Sequence, residues 1–282
     1  MKRFLILSLV LCLALQPAGA FGFKWKAIPT DASRTGITAA GTENVDEAMG
    51  SFKGRTFVAP NGRKFKKNTA TAKAARLMID AQTVVAPLKE VVGYCPEGLS
   101  RRGPSSLLGD WTADCLKAAA EKATGRHVDI AITNNGGIRA DLPKGDVMVD
   151  DLMSMFPFKN YICYVTMKGE DVLNLFNSMA GHMQCVSGVK VTVKDRQVQE
   201  LLIGGEPLDK EKVYSIGTID FVLNGGDGIF AGRNSLELIQ TDLKLYDGIL
   251  AYVRELTASG KYIEQQADGR VVDLDHRPQR PF

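Results

Sequence analysis

Short apolar strand patterns alternate with amphipathic helix patterns along most of the chain, and this succession restricts the folds that are open to it. Strand patterns cover 128–132, 161–167, 189–193, 198–203 and 213–221, and helical spacing covers 69–88, 105–123, 149–155, 168–180 and 243–256. The two kinds of element do not follow a strict strand–helix–strand repeat, and the two strands within 189–203 read as a hairpin around Asp195-Arg196. We therefore predict an α+β (mixed α/β) fold in a single layered domain.

The first twenty residues have the pattern of an export signal. Two cations, Lys2 and Arg3, precede an apolar run over 4–15, and small residues stand at 18–20, where cleavage takes place. The apolar run is too short to remain as a membrane-spanning helix. We expect a signal peptide over 1–20 and a secreted chain in the bacterial periplasm or at the cell exterior.

The remaining chain reads as an arm followed by one domain. Residues 21–68 show little periodicity and are predicted to be irregular, and the domain is predicted over 69–282. The formal net charge is +3, and removing Lys2 and Arg3 leaves +1. Such a small charge gives no long-range field, so nucleic acid is not an expected partner. Four cysteines follow the signal, and their pairing stays open: Cys95, Cys115, Cys163 and Cys185.

Residues that build a two-metal hydrolytic site are missing from the sequence. Such a site holds two cations with several His, Asp and Asn side chains. The three histidines, His127, His182 and His276, lie far apart, and none stands in an Asp-x-His or Asn-His-Glu context. The sequence also has no GxSxG and no GxxxxGK[ST] motif. We expect no metal ion and no cofactor in this chain, and no phosphoester hydrolysis by this chain alone.

Two glycine turns carry polar residues suited to a planar, polar ligand. In the turn over 133–139, Asn134 offers a donor and an acceptor, and Arg139 offers a rigid guanidinium fork for phosphate or ribose oxygens. In the segment over 219–228, Phe221 stands ahead of an Asn-Gly-Gly-Asp-Gly turn that contains Asp227. A carboxylate in that position can accept hydrogen bonds from ribose hydroxyl groups.

A third segment, over 155–160, presents a second aromatic ring. Pro157 fixes the backbone, so that Phe158 is held at a defined angle, and Asn160 follows two residues later. Rings on separate loops can stack on the two faces of one base, and each stacked face contributes about 1–3 kcal/mol.

Taken together, these motifs closely resemble the C-terminal domain of the 5′-nucleotidase family. That domain has the form N-x-G-G-I-R, then G-D-I and P-F-x-N, then an aromatic ahead of N-G-G-D-G. Corresponding stretches occur here in the same order, at 134–139, 145–147, 157–160 and 221–228. Upstream, Arg102 and the Leu108-Gly109-Asp110 stretch resemble the family's arginine and its L-G-N-x-x-x-D helix start, although Asp110 replaces Asn and Ser105 replaces Glu. The resemblance covers about 70–275.

The resemblance implies a role for each matched residue. The base would lie between Phe158 and Phe221, with Asn160 at its edge and Asp227 at the ribose hydroxyls. The ribose and phosphate side would be contacted by Arg102, Arg139 and Asn134. In family members a preceding metallophosphatase domain holds divalent metals and cleaves the phosphate, and nothing in this sequence matches that domain.

Three hypotheses follow. The chain is the substrate-binding part of a split 5′-nucleotidase that works with a separately encoded metallophosphatase, or a stand-alone extracytoplasmic nucleoside- or nucleotide-binding protein, or an interaction module that has lost its ligand. A complete aromatic pair together with Asp227 argues against the third, because a lost site has no reason to keep an exposed phenylalanine beside a proline. We favour the first hypothesis.

Overall fold

A computed structural model describes residues 45–101 and 106–275 of the chain. The chain divides after Asp80 into two compact units. The predicted signal peptide, Arg102, Ser105 and His276 lie outside the described residues. No helix within the described ranges is long and apolar enough to cross a membrane.

The first unit has regular structure where the sequence pattern predicts an irregular arm. Its elements are helix α1 (Val45–Met49), strands β1 (Ser51–Lys53), β2 (Thr56–Val58) and β3 (Lys64–Lys66), and the start of helix α2 (Ala70–Val85). The three strands form one antiparallel sheet. Phe57 is buried, and its ring lies 5.1 Å from Phe52 and 6.2 Å from Phe65. Strands of three residues are too short for a period-2 pattern to be recognised, which is why the sequence does not reveal them.

The second unit contains most of the helices and strands. Its strands are β4 (Val91–Cys95), β5 (Ile130–Thr133), β6 (Gly145–Met148), β7 (Tyr161–Lys168), β8 (Cys185–Ser187), β9 (Val189–Lys194), β10 (Gln197–Ile203), β11 (Glu206–Pro207), β12 (Val213–Ile219), β13 (Glu237–Lys244) and β14 (Val271–Asp273). Its helices are α3 (Leu107–Thr124), α4 (Val149–Met155), α5 (Gly169–Met179), α6 (Asp220–Leu223) and α7 (Leu245–Ala258). Mixed sheets and packed helices confirm the predicted α+β class.

A five-stranded sheet with the order β13-β7-β12-β5-β8 forms the centre of this unit. Strands β12 and β5 are parallel, with Gly217 opposite Ala131. Strand β7 runs antiparallel to β12, with Ile162 opposite Ile219. The carboxyl ends of β5 and β12 and the beginning of β7 therefore lie at the same edge of the sheet. A second sheet has the order β11-β10-β9-β14, and β4 pairs with β6.

Helix α3 is anchored at both ends and packs on the central sheet. The Ser106 hydroxyl accepts a hydrogen bond from the Gly109 amide as an N-cap, and Gly125 ends the helix in the left-handed conformation with φ of 66°. The buried face repeats at helical spacing and includes Leu108, Trp111, Cys115, Leu116 and Ala119. Gly217 of β12 allows close approach, because an added Cβ would lie 3.0 Å from the Cβ of Ala120.

The predicted hairpin is present between β9 and β10. Asp195 and Arg196 form its turn with φ of 51° and 58°, as a two-residue hairpin loop requires. The four cysteines of the second unit are all buried, and none of them is joined to another in this structure. Burial raises the pKa of Cys163 and Cys185 to about 12, so both remain protonated thiols at neutral pH.

Candidate functional site

The three segments predicted to hold a planar ligand adjoin strand ends at one edge of the central sheet. Asn134 directly follows β5, and Asp220 begins helix α6 directly after β12. Asn160 directly precedes β7. Because β5 and β12 end at the edge where β7 begins, the sheet topology brings these segments together although they are up to ninety residues apart in the chain.

A hydrogen bond joins the turn over 133–139 to the segment over 219–228. The Asn134 Nδ2 amide donates to Asp227 Oδ2 over 2.8 Å. Asn134 is 5% exposed, and its Oδ1 has no hydrogen-bond partner among the described residues. A buried acceptor without a partner costs about 1–3 kcal/mol.

Asp227 lies in a strained turn at the surface. Its φ and ψ are 55° and 23°, in the left-handed region that residues other than glycine rarely adopt, although Asp is among those that tolerate it best. The two glycines before it provide space for aromatic rings. A Cβ on Gly225 would overlap the ring of Phe230, and a Cβ on Gly226 would overlap the ring of Phe221. The turn therefore holds Phe221 against its backbone and presents Asp227 to solvent.

The segment over 155–160 places Phe158 and Asn160 beside Asn134. These three residues line one cleft together with Thr112, Thr133, Gly137, Ile138, Phe156, Ile219 and Leu245. The backbone carbonyl of Asn160 accepts a hydrogen bond from the Leu245 amide, so its position is fixed by the start of helix α7. The enclosed part of the cleft has a free volume of about 10 Å³, close to the space of one water molecule. A larger ligand would have to lie across the mouth, against the exposed rings.

Both predicted stacking rings are substantially exposed. Phe158 is 49% exposed and Phe221 is 42% exposed, which is unusual for phenylalanine in a unit with a well-formed core. The Arg139 guanidinium carbon lies 6.0 Å from the centre of the Phe158 ring. Arg139 also donates to the backbone carbonyl of Gly136 over 3.1 Å. Its side chain is thus held over the turn, with donors left for an anionic ligand.

Arg102 lies outside the described residues, but the helix that follows it is described. Asp110, which stands where the family usually has Asn, is buried, and its Oδ1 lies 3.9 Å from Arg270 Nε. Arg270 also forms two hydrogen bonds to the Asp114 carboxylate, over 2.8 and 3.0 Å. Burial alone would lower the pKa of Arg270, but the hydrogen bonds to Asp114 and Asp268 outweigh it and raise that pKa. Asp110 is therefore paired with a guanidinium from the C-terminal part of the same unit.

Residues behind the first turn also contribute to the site, and the motifs did not point to them. Asn135, the variable position of N-x-G-G-I-R, is bonded through its backbone and side chain to Met183, Gln184 and Cys185. Its immediate neighbour Asn134 is the residue that faces Asp227. The N-x-G-G-I-R pattern separates Asn134 from Asn135, but nothing in it indicates that the side chain of Asn135 is hydrogen-bonded behind the turn.

Within the described residues, no group of three or more His, Cys, Asp and Glu side chains is placed so that it could hold a metal ion. The geometry instead assembles hydrogen-bond acceptors, an arginine and two exposed rings. Asn134 connects the predicted residues: it is hydrogen-bonded to Asp227, and it lines one cleft together with Phe158 and Asn160. Phe221 is linked to them through Gly226, which neighbours Asp227.

Comparison with known proteins identifies the domain. The family model of the 5′-nucleotidase C-terminal domain matches residues 84–232, more than half of the 282-residue chain. Cell wall protein Lmo0130 of Listeria monocytogenes is 27% identical over 266 residues, covering 82% of this chain and 33% of that protein. Protein UshA of Escherichia coli is 29% identical over 146 residues, covering 50% of this chain and 26% of that protein.

A solved structure agrees with these relatives. The crystal structure of a 5′-nucleotidase precursor from Thermus thermophilus superposes with a TM-score of 0.62 at 27% identity, covering 73% of this chain and 43% of that one. The chain spans about a third or less of the length of the two relatives above. The sequence motifs, the fold and the family match agree. The chain therefore belongs to the 5′-nucleotidase family, and the part of the family that it matches is the C-terminal domain.

Proposed function

We propose that this domain binds the nucleoside part of a nucleotide, with the base between Phe158 and Phe221 and the ribose at Asp227. The observation that carries the proposal is the hydrogen bond between Asn134 and Asp227, which connects two glycine turns at one sheet edge. Polar groups at the end of one turn and exposed rings on the neighbouring segments are the features that a nucleoside requires of its receptor.

The exposed carboxylate at this edge is complementary to a vicinal diol. Asp227 Oδ2 accepts from Asn134 Nδ2, and the rest of this exposed carboxylate is available to a ligand. A carboxylate with two oxygen atoms suits the two hydroxyl donors of a ribose better than the single secondary hydroxyl of a deoxyribose. We expect ribonucleosides to bind more tightly than 2′-deoxyribonucleosides.

The remaining residues suit the base and the phosphate. The Asn160 side chain carries both a donor and an acceptor, as the edge of a base requires. Arg139 lies near the Phe158 ring and has guanidinium donors available to a phosphate. By family resemblance Arg102 would join it there.

In this proposal the domain serves a secreted 5′-nucleotidase-type system of nucleotide breakdown. A separately encoded metallophosphatase would supply the divalent metals and the hydrolytic step, since the sequence has three scattered histidines and no Asp-x-His or Asn-His-Glu motif. The signal-like pattern at the N-terminus supports secretion.

Calorimetric titration of purified residues 21–282 tests the proposal. Adenosine and AMP should bind with Kd between about 1 μM and 1 mM, the range of a single modest site. Ribose 5-phosphate, which has no base to stack, should bind more weakly than AMP. Absence of binding for adenosine, guanosine, uridine and their monophosphates would refute the proposal. AMP hydrolysis by this chain with zinc, manganese or magnesium would refute the proposal that a separate metallophosphatase carries out the hydrolytic step.

A further inference from the structure

Two adjacent asparagines in the first turn have opposite surroundings. Asn134 points across the edge of the sheet to Asp227, and its Oδ1 is unpartnered within the described residues. Every polar group of the Asn135 side chain is used for contacts inside the protein. Its Nδ2 donates to the Met183 carbonyl over 2.8 Å, and its Oδ1 accepts from the Cys185 thiol over 2.9 Å.

The backbone of Asn135 is bound to the same segment. Its amide donates to Gln184 Oε1 over 2.9 Å. Gln184 is 6% exposed and is itself held, because its Nε2 donates to the His182 carbonyl. Asn135 thus donates to Met183 and Gln184 and accepts from Cys185, three consecutive residues, and these hydrogen bonds fix both the position and the orientation of the turn.

The segment behind Asn135 is in turn fixed by helix α3. Gly109 lies so close to Cys185 that an added Cβ would be 2.8 Å from its sulfur. The Arg270 guanidinium donates to the Val186 carbonyl over 3.0 Å and to the Asp114 carboxylate on α3. A rigid support therefore reaches from α3 through the start of β8 to the turn that carries Asn134.

We propose that Asn135 is a positioning residue of the nucleoside site, a role that rests on the proposed function. It holds the turn from behind, so that the adjacent Asn134 side chain faces Asp227 and its amide orients the exposed Asp227 carboxylate toward the ligand. The hydrogen bonds of Asn135 are directed at the segment behind the turn, so its effect on affinity passes through Asn134. The protonated Cys185 thiol is the donor that completes this arrangement.

A double-mutant cycle, in which the Kd for adenosine is measured by calorimetry, tests whether Asn135 acts on affinity through Asn134. Asn135→Ala should raise the Kd about fivefold, as expected for the loss of neutral hydrogen bonds that order a binding group. In an Asn134→Ala background the same change should leave the Kd within about twofold, because the group that Asn135 positions is already gone. Asn135→Asp, which cannot donate to the Met183 carbonyl, should resemble Asn135→Ala. Equal effects of Asn135→Ala in both backgrounds would overturn the inference.

Asn177→Ala is the matched control for a general loss of stability. Asn177 lies near the end of helix α5, and its Oδ1 accepts a hydrogen bond from the Val198 amide of β10. Asn177 lines no part of the cleft. We expect it to lower the Tm as Asn135→Ala does, with the adenosine Kd unchanged. A Kd that rises equally in the two variants would show that Asn135 acts only through stability, and would overturn the inference.

Amide hydrogen exchange without ligand separates this inference from the proposed function. Asn135→Ala should speed exchange in the peptide over 225–230, which Asn135 does not touch, because the partner of Asp227 is no longer held in place. Unchanged exchange there would overturn the inference. If the unmodified chain binds no nucleoside but the exchange rises as expected, the proposed function fails while the coupling between Asn135 and Asp227 stands.

Discussion

Replacing the exposed rings one at a time separates their effect on binding from their effect on folding. Phe158 and Phe221 are 49% and 42% exposed, so each contributes much less to the core than a buried phenylalanine, whose loss costs about 3–5 kcal/mol. We expect Phe158→Ala and Phe221→Ala to lower the free energy of unfolding by about 1–2 kcal/mol, in proportion to the buried half of the ring.

The effect of the same substitutions on binding is expected to be comparable or larger. A ring stacked on one face of a base contributes about 1–3 kcal/mol, so each substitution should weaken adenosine binding by a factor between about 5 and 150. Calorimetry gives the affinity, and urea denaturation of the same sample gives the stability. Tyr262→Ala is the control, because Tyr262 is 57% exposed and packs on Tyr94 rather than on the cleft. Unchanged adenosine affinity in both phenylalanine variants would refute the assignment of the stacking pair.

Three further predictions follow from the site and its support. Asp227→Asn should weaken adenosine binding by about 1.5–3 kcal/mol, the contribution of hydrogen bonds to a charged group. In titrations it should also reduce the preference for adenosine over 2′-deoxyadenosine. An unchanged preference would show that Asp227 does not contact the ribose. Gly226→Ala should displace the Phe221 ring and weaken adenosine binding without unfolding the domain. The control Gly181→Ala should bind adenosine normally, because its Cβ would make only ordinary contact with Arg196. Equal affinities of the two variants would show that the Phe221 ring does not contact the ligand. The hydrogen bond from Arg270 lowers the pKa of Asp268, so its stabilising contribution is present above the ordinary aspartate pKa and is lost as the pH falls through the lowered value. Because Asp268 is 49% exposed, Asp268→Asn should destabilise by less than about 1 kcal/mol at pH 7, and urea titrations should show this difference narrowing below about pH 4; a difference that grows at low pH would contradict the pairing.

The sequence predicted most of the helices and the long strands, because their apolar residues keep a clear period. Helix α4 was predicted with its observed bounds, and helix α3 to within two residues at its start. Strand β13, over Glu237–Lys244, was missed because it is an edge strand whose outward positions include the apolar Leu238. Its alternation between apolar and polar residues is therefore incomplete, and only the following helix was recognised.

The sequence motifs propose the candidate site residues, but the way in which the fold holds those residues could not be predicted. Family motifs pointed to Asn134 and Asp227, yet the parallel pairing of β5 with β12 that brings them together joins residues 86 positions apart. The separate roles of Asn134 and Asn135 depend on which side of the turn each side chain occupies. The pairing of Asp110 with Arg270 likewise depends on the C-terminal part of the chain lying against helix α3, which no local sequence pattern predicts.

A crystal structure of the chain with adenosine tests the central claim most directly. The account predicts the purine between the rings of Phe158 and Phe221, with the ribose hydroxyls within hydrogen-bonding distance of the Asp227 carboxylate. Adenosine bound elsewhere on the domain, or at this edge with neither ring against the purine, would contradict it.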